Sequence, residues 1–107
     1  MSHWTPAQAL AQLHAEGSEF SALFRHGSLE VEFYKPNKVD RQQPHTRDEL
    51  YVIATGHGQF IVQGRECRVG PGDVLFVPAG AEHRFYGFSE DFGTWVFFYG
   101  PQGGESA

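Results

Sequence analysis

Glycine and proline interrupt this sequence so often that no run free of them after Gly17 exceeds eleven residues, and none carries a helical period. Gly27, Pro36, Gly56-His57-Gly58, Gly64, Gly70-Pro71-Gly72, Pro78-Ala79-Gly80 and Gly100 cut the chain into short pieces. The pieces are rich in Val, Ile, Phe and Tyr, and some alternate plainly, as where Leu29, Val31 and Phe33 stand between Glu30 and Glu32. Such alternation sends successive side chains to opposite faces of a strand. Strands are therefore expected at 20–24, 29–34, 49–54, 59–62, 66–69, 74–77, 83–86 and 94–99. Seven or eight short strands with Gly/Pro turns and no second helical period predict an all-β sandwich or small barrel and argue against an α/β fold.

One helix is expected, at the start. Thr5-Pro6-Ala7-Gln8 offers an N-cap hydroxyl, a proline at the first helical position and a glutamine three residues after the cap, and the helix must end by Gly17. Leu10, Leu13 and the neighbouring alanines form its apolar face, so it docks on the body. The 107 residues suffice for one core. The expected division is an N-terminal arm with this helix at 1–19, the barrel at 20–99 and a flexible tail at 100–107, which lacks apolar anchors.

Eight basic and thirteen acidic residues give a net charge of −5. Lys35, Lys38, Arg41 and Arg47 are too scattered for a basic patch, which argues against nucleic acid as a partner. No apolar run is long enough for a membrane span or a signal peptide, so a cytoplasmic protein is expected. Cys67 is the sole cysteine, excluding an internal disulfide, and is expected to be a small buried strand residue.

Polar residues appear where a core is expected. In extended chain Gln43, His45, Glu49, Tyr51 and Ile53 share one parity. Either this parity faces inward, bringing an amide, an imidazole and a carboxylate together, or the segment is a polar loop edge with Glu49 in solvent. A buried Glu49 costs several kcal/mol unless paired, and Arg47 or Arg84 could pair with it in place of a metal. His83, at the entrance of a later strand, can meet this cluster across an antiparallel barrel, or can be a surface histidine. Two imidazoles, a carboxylate and an amide oxygen suit Fe, Mn, Ni, Cu or Zn, and leave positions open for a small-molecule substrate. Tyr51 is a candidate catalytic hydroxyl, or a structural one. His3, His14, His26 and His57 fall in arm, helix and turns and are read as surface residues. Phe60, Phe76, Phe85, Trp95, Phe97 and Tyr99 are read as core or dimer contact.

These residues carry a resemblance. Cupins have a first motif G(X)5HXH(X)3-4E(X)6G and a second motif G(X)5PXG(X)2H(X)3N. Here Gly72, Pro78-Ala79-Gly80 and His83 match the second, with Gly87 in place of its final Asn. Gln43-Pro44-His45, Glu49 and Gly56 match the first, with Gln43 in place of its first His. The leading Gly falls on Asn37, a residue type that tolerates positive φ. From about Leu29 to Tyr99 the chain thus resembles a small single-domain cupin. The resemblance implies a double-stranded β-helix, a jelly-roll barrel. It also implies Gln43, His45, Glu49 and His83 as ligands of one divalent transition metal. Dioxygenase or isomerase chemistry on a small organic molecule is the implied function, with a non-catalytic small-molecule binding or sensory protein as the alternative. A homodimer is expected because so short a chain leaves much surface and open strand edges, with contact through the helix from Pro6 to Leu13 or the strand from Leu29 to Phe33.

Overall fold

A computed structural model describes residues 3–106; residues 1, 2 and 107, the outermost positions of the expected arm and tail, lie outside the described residues. The first element is α1, Pro6–Glu16, and its ends follow from the chemistry expected of them. Thr5 Oγ1 accepts from Gln8 N at 3.1 Å and Gln8 Oε1 accepts from Thr5 N at 2.9 Å, a capping box that satisfies two otherwise unpartnered amides. Gly17 then ends the helix in the left-handed conformation, at φ 63°.

Eight strands follow: β1 Phe20–His26, β2 Leu29–Tyr34, β3 Asp48–Thr55, β4 Gly58–Val62, β5 Arg65–Val69, β6 Val74–Val77, β7 His83–Tyr86 and β8 Gly93–Tyr99. They form two antiparallel sheets, a five-stranded one ordered β1-β2-β8-β3-β6 and a three-stranded one ordered β5-β4-β7. The sheets face each other across one core that includes Tyr34, Tyr51, Ile53, Phe60, Phe85 and Phe92. This is the all-β sandwich that the punctuation of the sequence predicted, in the jelly-roll form that the resemblance implies. On the outer face of the larger sheet, Ala9 and Leu13 of α1 pack against Phe33.

The pairing register fixes which residues share the inner face. Glu30, Phe98, Glu49 and Val77 stand in one cross-strand row, and Glu32, Val96, Tyr51 and Leu75 in the next. Because Phe33 turns outward to pack against the helix, Glu30 and Glu32, of the opposite parity on β2, share the face of Glu49.

Two expectations change. Cys67 is exposed, because β5 lies at the edge of the smaller sheet with its first four residues exposed. Of the aromatics expected as core or dimer contact, Phe76 is 51% exposed, since β6 is likewise an edge and Phe76 points outward, which leaves it the second of those roles. The positive φ expected at Asn37 sits one residue later, at Lys38 with φ 68°, where Val39 N donates to Asn37 O at 2.8 Å and closes a three-residue turn. At Gly56 the requirement for glycine is doubled, by φ 71° and by Phe92 Cα, which an added Cβ would approach to 2.6 Å.

The segment after Tyr99 is tied to the barrel. Gly103 N donates to Thr46 O, and Glu105 N donates to Asp48 Oδ2 at 2.8 Å. Among the described residues no helix is long and apolar enough to cross a membrane.

Candidate metal centre

β3 is hydrogen-bonded on both sides, to β8 and to β6, and its inward side chains are buried between the sheets. Glu49 and Tyr51 are 0% exposed and Ile53 1%. The parity expected of this strand holds, and it brings a carboxylate into an aromatic core. No arginine meets it. Arg47 lies 3.5 Å from Glu30 and donates to Gly100 O, while Arg84 is exposed.

Two imidazoles meet Glu49 instead. His45 Nδ1 and His83 Nε2 each lie 3.0 Å from Glu49 Oε1, and the two rings are 5.4 Å apart between centroids. One ligand atom from each of His45, Glu49 and His83 falls within 4.8 Å of the others. His83 Nδ1 lies 2.9 Å from Ala81 O; a carbonyl only accepts, so Nδ1 carries the proton and donates. That contact orients the ring and turns Nε2 toward the carboxylate.

The polar balance of the cluster does not close by itself. Glu49 Oε2 is buried without a hydrogen-bond partner, and while His83 is neutral, with its proton on Nδ1, its Nε2 faces Glu49 Oε1 lone pair to lone pair and is satisfied only by taking up a second proton or an ion, a costly condition for polar atoms in a core. Burial alone raises the Glu49 pKa, but the hydrogen bonds and charges of His45 and His83 outweigh it and hold the carboxyl below its usual range. Burial likewise opposes charge on His83, and Glu49 together with the Ala81 carbonyl overcomes it and pushes the imidazole up. The pocket favours a negative carboxylate with positive charge beside it. A divalent cation among the three donors would use both orphaned atoms, and two nitrogens plus one oxygen suit a transition ion with coordination positions left open. The residues present therefore fit a metal.

Gln43 is not drawn in with them. It is exposed, because 40–45 is not a strand and period-two parity has no force there. The inward amide is that of Gln42, whose Oε1 accepts from Tyr51 OH at 3.0 Å. Tyr51 is thus fixed within the protein, and burial, chiefly, with Glu49 nearby, raises its pKa well above the usual value. His57 is exposed in its turn, as expected, and His3, His14 and His26 are exposed too.

Two openings reach the cluster. A cavity of about 480 Å³ beside His45 is lined by Phe20, Glu30, Glu32 and Phe98. Another of about 510 Å³, on the His83 side, is lined by Gln42, Gln43, Gln63 and Arg84. Sequence reasoning missed Glu32, although the alternation of β2 contained the signal: its polar face is the concave one. It also missed Asp40, for which the sequence offers no signal beyond an acid in a polar connection.

Residues 30–99 match the family described as Cupin domain. A protein of Streptomyces coelicolor that carries no functional name is 31% identical over 94 residues, spanning 86% of this chain and 90% of that protein. Acireductone dioxygenase of Bacillus velezensis is 40% identical over 50 residues, 42% of this chain but only 28% of the dioxygenase. Among solved structures, the DMSP lyase DddQ of Ruegeria pomeroyi superposes with a TM-score of 0.66 at 26% identity, over 82% of this chain and 48% of the lyase.

Proposed function

The chain belongs to the cupin family, and on that premise we propose that it is a metalloenzyme holding one divalent transition ion, of Fe, Mn, Ni, Cu or Zn, on His45, Glu49 and His83. Its substrate is a small organic molecule, and its chemistry is of the dioxygenase or isomerase kind. The observation that carries this reading is a pair of buried atoms, Glu49 Oε2 and His83 Nε2, that the neutral side chains leave without a hydrogen bond, beside an accessible His45. The partial match to acireductone dioxygenase supports the chemistry, though it spans about a quarter of that protein.

When bound, the ion supplies Lewis-acid or redox chemistry to an oxygen-bearing substrate. The chain's own residues do the rest. His83 is oriented by Ala81 O, Glu49 provides the anion, and the walls formed by Phe98, Phe60 and Phe85 exclude water. Gln43 lines the opening on the His83 side and in this reading stays outside the ligand set. Elemental analysis of purified protein beside His83→Ala tests the proposal: about one metal ion per chain is expected in the first and almost none in the folded variant. Equal content in both rejects it.

A binding or sensory role without turnover is favoured by one observation. The Tyr51 hydroxyl is engaged by Gln42, so it is not a free acid or base in the cavity. Oxygen uptake after adding Fe(II) and candidate substrates separates the two, since saturable binding without uptake belongs to the second.

We also propose a homodimer, formed neither through the apolar face of α1 nor through β2. Ala9, Leu13 and Phe33 are already buried against one another. The free edge β6, with Val74 64% and Phe76 51% exposed and no charged residue in the strand, suits a second copy better. Sedimentation of wild type and Phe76→Lys tests this, with a shift toward monomer expected in the variant.

A further inference from the structure

Asp40 is 5% exposed, and nothing in the reading above uses it. Its Oδ1 accepts from Tyr34 OH at 2.6 Å and Gln42 N at 3.0 Å. Its Oδ2 accepts from Phe85 N at 2.9 Å and Gln42 Nε2 at 3.2 Å. These partners come from three separate places. Tyr34 ends β2 in the larger sheet; Phe85 lies in β7 of the smaller sheet, two residues after His83; Gln42 lies in the connection that carries His45. Gln42 Oε1 in turn accepts from Tyr51 OH, two residues after Glu49.

One buried carboxylate therefore ties together the three elements that bear His45, Glu49 and His83. None of these elements is held to the others by sheet pairing alone. β7 pairs only with β4, and its free side is met at Phe85 N by Asp40. The connection at 40–45 belongs to neither sheet. Bonds to an ionised acceptor are shorter and stronger than neutral ones, and losing them would strand a buried N–H and a buried hydroxyl.

We propose that Asp40 is a positioning residue: through Gln42 and the Phe85 amide it sets the spacing of His45 and His83, and with it the affinity for a divalent ion held between them. The inference rests on the metal reading above. Asp40→Asn preserves volume but presents an amide donor where Phe85 N or Tyr34 OH needs an acceptor. The metal alone, Co(II), serves as probe through its visible absorption and its binding isotherm. Folded Asp40→Asn is expected to bind Co(II) about ten- to a hundredfold more weakly, with an altered spectrum, as supporting hydrogen bonds around metal ligands typically do when removed. Tyr34→Phe, which deletes one of the four bonds, should move affinity in the same direction by less. Leu13→Ala, buried under the helix on the far face, should lower Tm and leave both readouts alone.

Wild-type affinity and spectrum in Asp40→Asn would overturn the proposal, as would an equal weakening in Leu13→Ala. If Asp40→Asn does not fold, Tyr34→Phe decides by the same criterion. If wild type takes up no Co(II), the metal reading fails, and the positioning role is then read from ring ¹⁵N signals of the metal-free protein. Signals of His45 and His83 should move in Tyr34→Phe while those of exposed His14 and His57 stay; no movement overturns it.

Discussion

β3 and the connection that feeds it lie next to each other in sequence and obey different rules. Along β3, Glu49, Tyr51 and Ile53 all turn inward, and Leu50 and Val52 stay half-buried on the outer face. Just upstream the same parity predicts an inward Gln43, yet Gln43 is exposed and Gln42 is the residue that reaches Tyr51. The difference lies in what holds the backbone. β3 is locked on both sides by ladders to β6 and β8, whereas the connection is held by side chains, Asp40 and Gln42 above all. Alternation is a property of the ladder, and ends where the ladder ends.

The contrast can be broken hardest at the core end of the strand. Ile53→Ala should cost about 2–5 kcal/mol in urea unfolding, as deletion from a packed core does; a loss below 1 kcal/mol would mean that the inner row is not tightly packed.

Protonation sharpens the comparison next, because His83 is fixed at a strand start and His45 by the connection. In metal-free protein the His83 pKa is raised from 6.5 and the Glu49 pKa lowered from 4.5. The stabilisation from His83 is fully present below about pH 6.5, the unfolded value, and is lost as pH rises through the raised folded value. That from Glu49 is present above about pH 4.5 and is lost as pH falls through its depressed value. The metal-free protein should therefore lose stability as pH rises from about 6.5 through the raised His83 value. With metal the slope should reverse, because the ion competes with protons for imidazole. Urea midpoints at several pH values, with and without added zinc, check both signs; equal slopes would reject an ion at this site.

At the junction of the two regions, Tyr51→Phe removes the bond to Gln42 and should cost about 1 kcal/mol. A neutral result would mean that the connection is held without Tyr51. The smallest effect belongs to Gln43→Ala, expected to stay within about 0.5 kcal/mol with metal content unchanged. A drop in metal would return Gln43 to the ligand set and undo the contrast.

Much of the fold was legible because it rests on local chemistry. The capping box at Thr5, the turns at Gly56-His57-Gly58 and Pro78-Ala79-Gly80, and the alternation of Glu49 to Ile53 each depend on near neighbours, and the strands fall within two residues of their expected limits. The site was legible in part for the same reason. His45 and Glu49 lie four residues apart, and the motif spacing brought in His83. What escaped were Asp40 and Gln42, whose partners lie in three different elements, and the exposure of Cys67, which depended on where β5 stands in its sheet.

By itself, then, the order of residues determined how many strands form, where they turn and which side chains of β3 look inward, since backbone geometry and steric limits at glycine and proline act over a few residues. The tertiary structure alone decided that two imidazoles, one from the connection before β3 and one from β7 of the smaller sheet, close on one carboxylate, and that Asp40 stands behind them. Such distances depend on how two sheets pack, and packing sums contacts between residues far apart in the chain.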